Sequence, residues 1–282
     1  MDRRLRGRAL VIAWVMIAHA LWPAAGLTDN FLPHLPERPV IKAAAVYLVE
    51  LKSGRVLLEK NATRRLPPAS LTKIMTALIA LESAPLQDVV KIDQRAVAHH
   101  SSYSFRPGEE FLLRDLVTAM LVVSANDACE AVAWHVGGDD QRFVSMMNER
   151  ALLWGLENTH FSNPCGFDAP EHYSTAADLA KLTERALQEP IFSMMVRTVV
   201  RDISTVNGTR RMSLHSTNEL LADPEVNGVK TGYTSRAGRC LIATMFKDGH
   251  RLMLVGLNLR DQWKEASRLL RYAHDVLQGA SD

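Results

Sequence analysis

Pro67-Pro68-Ala69-Ser70-Leu71-Thr72-Lys73-Ile74-Met75-Thr76-Ala77-Leu78-Ile79-Ala80-Leu81 is the stretch around which the chain is read. The two prolines bring the chain in extended, because a residue before proline avoids the α region. Ser70 then stands where an N-cap or first-turn residue belongs. Beyond it Leu71, Ile74, Met75, Leu78, Ile79 and Leu81 recur at helical spacing, which predicts a buried helix. Ser70 and Lys73 are three apart, so they share one helix face. A serine is a weak nucleophile until a base takes its proton. A lysine can be that base only when neutral, and burial or a second cation lowers its pKa. An isolated S-x-x-K can equally be a capped helix with a solvated lysine, so the rest of the chain has to decide.

Working outward, the amino terminus carries Arg3, Arg4, Arg6 and Arg8, then an apolar run from Ala9 to Leu21 broken only by His19. That is the pattern of an export signal, with small residues at Ala18–Ala20 and Ala24–Gly26 suited to cleavage. The reading is a signal peptide over 1–26, a catalytic domain over 27–282, and a periplasmic or extracytoplasmic protein. No other stretch approaches membrane-spanning length. Because the sequence stops soon after its closing helix, no C-terminal membrane anchor is expected. Over 282 residues the balance is Lys+Arg 33 against Asp+Glu 31, and no basic stripe argues for nucleic acid. Three cysteines, Cys129, Cys165 and Cys240, show no metal-site spacing, and the sequence leaves open whether two of them pair. No cofactor and no metal are called for.

Ala43 to Leu51 and Arg55 to Glu59 read as a hairpin about Lys52-Ser53-Gly54. Phe111 to Val123, Asp127 to Val136, Gln141 to Trp154 and Ser174 to Leu187 read as helices, the last stopped before Pro190. Strands return from Val199, with Asn207-Gly208 as a hairpin signal. Val226 to Thr234, Cys240 to Phe246 and Arg251 to Leu259 follow as strands, then a closing helix from Trp263 to Leu277. The economical architecture is α+β: one antiparallel sheet built from both ends of the chain, with an all-helical lobe inserted. The sheet lobe is expected over about 40–66 and 197–282, the helical lobe over about 67–196. A groove between lobes is the usual place for a site.

Two further motifs answer Ser70 and Lys73. Ser124-Ala125-Asn126 falls between two predicted helices, and Lys230-Thr231-Gly232 falls within a predicted strand. In the order S-x-x-K, S-x-N, K-T-G they resemble the signature of penicillin-binding proteins and serine β-lactamases. The surroundings narrow the resemblance. Ala69 to Thr76, Ser124 to Ala128 and Asn227 to Thr234 are similar to the low-molecular-mass D-alanyl-D-alanine carboxypeptidases. So are Ser162-Asn163-Pro164 with Gly166-Phe167-Asp168, and Tyr173-Ser174-Thr175-Ala176 with Asp178-Leu179.

The resemblance implies roles. Ser70 is the nucleophile toward the carbonyl between two D-alanines, and Lys73 is its general base. Ser124 relays a proton toward the leaving amine. Asn126 holds Lys73 and the substrate backbone. Lys230 adds positive charge, and Thr231 bonds the terminal carboxylate. Gly232 and Tyr233 complete the binding strand, and the backbone N–H groups of Ser70 and Tyr233 form an oxyanion hole, each worth about 3–4 kcal/mol. Peptidoglycan pentapeptides, cross-linked muropeptides and β-lactam antibiotics are the implied partners. The family often has glycine where this chain has Ala125. It also often carries a carboxylate-binding arginine near the closing helix, for which Arg260 and Lys264 are the candidates here. A serine β-lactamase is one alternative, although no Glu-x-x-Leu-Asn lies between the second and third motifs. A non-catalytic cell-wall binding protein is another, although all three motifs are intact.

Overall fold

The computed structural model describes residues 36–98 and 105–279. The export signal expected over 1–26 lies outside the described residues. In chain order the strands are β1 (Ala43–Glu50), β2 (Val56–Lys60), β3 (Val89–Lys91), β4 (Glu110–Leu112), β5 (Val200–Ser204), β6 (Arg211–His215), β7 (Val226–Thr234), β8 (Gly238–Lys247) and β9 (His250–Leu259). The helices are α1 (Lys73–Ser83), α2 (Leu113–Val122), α3 (Asn126–Gly137), α4 (Asp140–Leu153), α5 (Ala176–Ala186), α6 (Pro190–Val196) and α7 (Gln262–Gln278).

Five strands form one antiparallel sheet in the order β2-β1-β9-β8-β7. The N-terminal hairpin therefore docks on the C-terminal strand, Ala45 opposite Leu257 and Val49 opposite Met253. Strands covered on one face alternate, whereas β8 and β9 run Cys240–Met245 and Leu252–Leu257 without an exposed residue. Such a run signals cover on both faces. One core lies under α7, where Leu269, Leu270 and Ala273 meet Leu241, Leu252 and Leu254. The other fills the helical side, with Ile74, Leu78, Met120, Phe143 and Phe161 fully or almost fully buried. Truncating one such residue, Leu78→Ala for instance, costs about 2–5 kcal/mol through lost contacts and the cavity left behind.

Three features of this frame place the site. Every residue of α1 from Lys73 to Ala80 is buried, as expected of a central helix that, apart from Lys73 and Thr76, is apolar all round. β7 ends the sheet order, so one of its edges has no strand partner among the described residues. The short helical turn Ala69–Thr72 packs against β7.

Local structure departs from the sequence reading in several places. Of the two places read for Ser70, the structure takes the first turn and not the N-cap: it lies inside a 3-10 turn, Thr72 precedes α1, and neither residue caps with its side chain. The hydroxyl is left for other work. The inserted lobe is not wholly helical, since β3 pairs with β4 and α2 begins only at Leu113. β5 and β6 pair as expected around Asn207-Gly208, but as a separate ribbon outside the main sheet. Arg210, in the turn of that ribbon, bonds both carboxylate oxygens of Glu109. Pro190 starts a helix as well as stopping one, because proline suits the first helical position.

Candidate active site

A groove of about 440 Å³ runs between the β7 edge and the helical side. Ser70, Ser124, Asn126, Thr231, Gly232 and Tyr233 all line it. The three motifs, up to 162 positions apart in sequence, therefore meet.

Lys73 is the centre of the constellation. Its Nζ donates to Ser70 Oγ at 2.9 Å, to Asn126 Oδ1 at 2.9 Å and to the Cys165 carbonyl at 2.7 Å. An ammonium has three N–H donors and no acceptor, so the protonated form is fully satisfied. The neutral form has two N–H groups and one lone pair. Asn126 Oδ1 and Cys165 O can only accept, so they keep the two hydrogens. The lone pair then faces Ser70, whose O–H can donate to it. Loss of one proton thus leaves the amine aimed at the hydroxyl. The proton leaves readily: complete burial pulls the Lys73 pKa down to about 7, while the carboxylates of Glu130 and Asp127 pull the other way.

The Cys165 carbonyl is held in place by its loop. Asn163 Oδ1 accepts from the N–H groups of Cys165, Gly166 and Phe167, and Asn163 Nδ2 donates to Phe167 O. Thr76 Oγ1, on α1, donates to Pro164 O at 2.5 Å. A disulfide joins Cys165 to Cys129, one helical turn beyond Asn126. The sequence had left that pairing open. Cys240 is a buried free thiol, its pKa pushed up to about 11 by burial. Glycine is required at 166: its φ is +87°, and a Cβ there would come within 1.9 Å of the Ala69 carbonyl oxygen. At the far end of the loop, Asp168 accepts from Thr234 Oγ1 and from the Arg236 N–H, tying the loop to the end of β7.

The sheet wall is built differently. Thr231 Oγ1 contacts Thr217 Oγ1 at 2.6 Å. Gly232 faces the nucleophile turn, where a Cβ would stand 3.0 Å from Ser70 N. Lys230 does not line the opening. It is 1% exposed and donates to its neighbour's carbonyl, Thr231 O, at 2.9 Å. Burial first, and the charge of Lys73 second, hold the Lys230 amine well below the usual lysine range.

Arg260 and Lys264 are not in this groove. They line a separate cleft between residues 36–42 and α7. The arginine in the groove is Arg239 on β8, directly across the hairpin from Tyr233. Its guanidinium has no hydrogen bond or ion pair among the described residues. Gln262, the first residue of α7, lines the groove beside it. Counting the β7–β8 register from Lys230-Thr231-Gly232 across the turn would have found Arg239. Thr217 had no such signal, since its place depends on the strand-to-turn path after β6. Ser124 sits with φ +60° two residues before α3, in the left-handed region that non-glycine residues seldom adopt. Strained backbone of this kind clusters at functional sites.

Comparison with known proteins identifies the family and the fold. Residues 33–261 match the family model Peptidase S11, described as D-alanyl-D-alanine carboxypeptidase. The chain is 36% identical over 221 residues to the D-alanyl-D-alanine carboxypeptidase DacF of Bacillus subtilis, covering 76% of this chain and 57% of that one. It is 34% identical over 283 residues to the D-alanyl-D-alanine carboxypeptidase DacD of Escherichia coli, covering 94% and 71%. It spans little more than half the length of the Bacillus relative. Among solved structures, the Streptomyces K15 DD-transpeptidase superposes with a TM-score of 0.78 at 28% identity, covering 84% of this chain and 98% of that one. The sheet with its inserted helical lobe is the fold of those DD-transpeptidases, and the chain belongs to the D-alanyl-D-alanine carboxypeptidase family, peptidase family S11.

Proposed function

We propose that the protein is a serine-type DD-peptidase that removes the terminal D-alanine from peptidoglycan stem peptides through an acyl-enzyme. The observation that carries the reading is the Lys73 amine, buried, depressed to about 7, and held so that its one free position faces Ser70 Oγ. Ser70 attacks the carbonyl of the penultimate D-alanine and Lys73 takes its proton. Ser124 passes a proton to the departing amine, with Asn126 keeping Lys73 in register. The oxyanion lies against the N–H groups of Ser70 and Tyr233. Water then releases the acyl group by the same route in reverse. The substrate backbone runs along the free edge of β7, where an unpaired strand offers main-chain hydrogen bonds. Thr231 and Arg239 receive the terminal carboxylate. A β-lactam enters the same path and stays as a stable acyl-enzyme.

Action outside the cytoplasm fits the cell-wall substrate and the Cys129–Cys165 disulfide, since disulfides persist in oxidising compartments. The N-terminal leader would deliver the chain there. Among the described residues no helix is long and apolar enough to cross a membrane.

A second activity, cleavage of D-Ala–diaminopimelate cross-links, is favoured by the open side of the groove, where Tyr233 is 66% exposed. A Pseudomonas aeruginosa protein named D-alanyl-D-alanine endopeptidase is 26% identical over 95% of this chain. In such a cross-link a carboxylate sits on the D-carbon bearing the acceptor nitrogen, so Thr231 and Arg239 meet an anion in either substrate. Defined muropeptides, incubated with the purified protein and weighed, test both activities. Loss of one alanine from a pentapeptide is expected, with slower splitting of the dimer. An intact pentapeptide would overturn the main reading, and an intact dimer would remove the second.

A further inference from the structure

Behind the nucleophile turn, on the side away from the groove, lies a buried polar chain that no step of the reaction uses. The Ser162 N–H donates to His172 Nδ1 at 2.9 Å. A ring nitrogen that accepts from a backbone N–H carries no proton, so the imidazole is neutral and its proton is on Nε2. Burial, the largest cause, keeps it neutral by pulling the His172 pKa down to about 4. His172 Nε2 lies 2.9 Å from Thr72 Oγ1 and must donate to it. The Thr72 hydroxyl hydrogen then goes to the Ala69 carbonyl, 2.8 Å away. Each donor in the sequence Ser162 N–H, His172 Nε2–H, Thr72 O–H has one acceptor, and the direction is fixed throughout.

The last acceptor matters because of what shares its peptide plane. The Ala69 carbonyl and the Ser70 N–H belong to one planar, trans peptide unit, so they point in opposite directions. Drawing the carbonyl into the protein aims the N–H outward. Ala69 is buried, with φ +49°, a left-handed conformation that costs energy for a residue with a Cβ and needs surroundings to hold it. Gly166 packs against the same carbonyl oxygen, and Gly232 leaves the space beside Ser70 N clear.

We propose that Thr72 and His172 are positioning residues that fix the orientation of the Ser70 N–H, and so the oxyanion hole, through the Ala69 carbonyl. The proposal rests on the reading of Ser70 as the acylated residue. Neither side chain touches substrate. Their contribution lies in presetting a donor for charge that develops only in the transition state, where such preorganisation counts most.

The test separates the two nitrogens of His172. In His172→Asn the amide oxygen falls near the imidazole Nδ1 position and keeps the acceptor for Ser162, but nothing reaches Thr72. In His172→Gln the amide nitrogen falls near the imidazole Nε2 position and keeps the donor to Thr72. Acylation by a fluorescent penicillin should slow by about 10- to 100-fold in His172→Asn and in Thr72→Val, less than the full loss of an oxyanion donor. The reversible affinity that precedes acylation should hold within about twofold. His172→Gln and Thr72→Ser should stay within about threefold of the parent. Nitrogen NMR of the parent should show His172 protonated at Nε2 and bare at Nδ1 at neutral pH. That signature is readable whether or not the protein is acylated, so it stands apart from the function reading. Acylation at parental rates in Thr72→Val, equal losses in His172→Asn and His172→Gln, or a proton on Nδ1 would each overturn the proposal. Should Thr72→Val fail to fold, the His172 pair and the NMR signature decide.

Discussion

The two walls of the groove are made in opposite ways. On the helical wall the groups that hold Lys73 are braced. Lys73 has three partners, Asn163 Oδ1 takes three N–H groups, and the Cys129–Cys165 disulfide joins the loop to α3. On the sheet wall Tyr233 is largely exposed, the Arg239 guanidinium is unpaired among the described residues, and Thr231 has the side-chain contact to Thr217. Chemistry that depends on aligned reacting atoms and preset dipoles gains from rigidity. Recognition of peptides that differ beyond the scissile bond gains from side chains not already committed. On the proposed mechanism reaction falls to one wall and selection to the other, and mutations on the two walls should then fail differently.

The largest effect belongs to the nucleophile. Ser70→Ala should fold like the parent and form no covalent adduct with penicillin, seen by intact mass. Turnover should fall by about 10⁴-fold or more, as when the nucleophile of a comparable serine hydrolase is removed. Reversible binding should persist, because the sheet wall is untouched. A full-yield adduct in the mutant would remove Ser70 from the mechanism.

Next is the brace. Replacing Cys129 and Cys165 by alanine opens a cross-link spanning 36 residues, which costs about 3–4 kcal/mol in chain-entropy terms. For a domain of this size the melting temperature should drop by roughly 6–15 °C. Because Cys165 O holds one hydrogen of Lys73, kcat should fall while KM changes little. An unchanged melting temperature in the double mutant, or a loss confined to KM, would break the division between walls.

How much of this was legible beforehand differs by wall. The helical wall could be read from Ser70, Lys73, Ser124 and Asn126, because the chemistry demands those residue types and helical spacing brings the first two together. The β7–β9 strands were legible too, from apolar runs punctuated by Lys247-Asp248-Gly249. Of the two places open to Ser70, N-cap or first turn, local sequence could not choose, and the packing of the Ala69–Thr72 turn against β7 settled on the turn. Arg239 escaped because it stands outside every motif and is brought beside Tyr233 only by the hairpin register. The β3–β4 ribbon has three-residue strands, too short for a periodic signal.

The pH dependence sharpens the comparison. With Lys73 as the proposed base, acylation requires its neutral form, so the rate should rise about tenfold per unit below pH 7 and level off above it, following the depressed pKa. Stability should follow the same group. The folded pKa, about 7, lies below the usual 10.5, so between those values the unfolded chain holds a proton that the folded chain does not. Stability therefore rises with pH across that window. Reversible binding by the sheet wall should not share the acylation midpoint. A rate independent of pH from 5 to 9 would argue that Lys73 is not the base.

The smallest effect is expected at Arg239, and it is the most informative about selection. The guanidinium is exposed, so water already solvates it and a bound carboxylate gains less than it would in a buried site. A hydrogen bond to a charged group contributes about 1.5–3 kcal/mol, and exposure puts this one at the lower end. Arg239→Gln should therefore raise KM for a peptide ending in D-Ala-D-Ala by about tenfold. It should leave kcat within about twofold, since among the described residues the guanidinium bonds no group of the braced wall. Acylation by a substrate whose carboxylate is converted to an amide should be insensitive to the substitution. Arg260→Gln and Lys264→Gln, in the separate cleft, should change neither constant. If Arg239→Gln lowers kcat and spares KM, the guanidinium takes part in the reaction and the two walls are not separate. If Arg260→Gln raises KM instead, the substrate reaches beyond the groove toward α7, and the carboxylate site lies there.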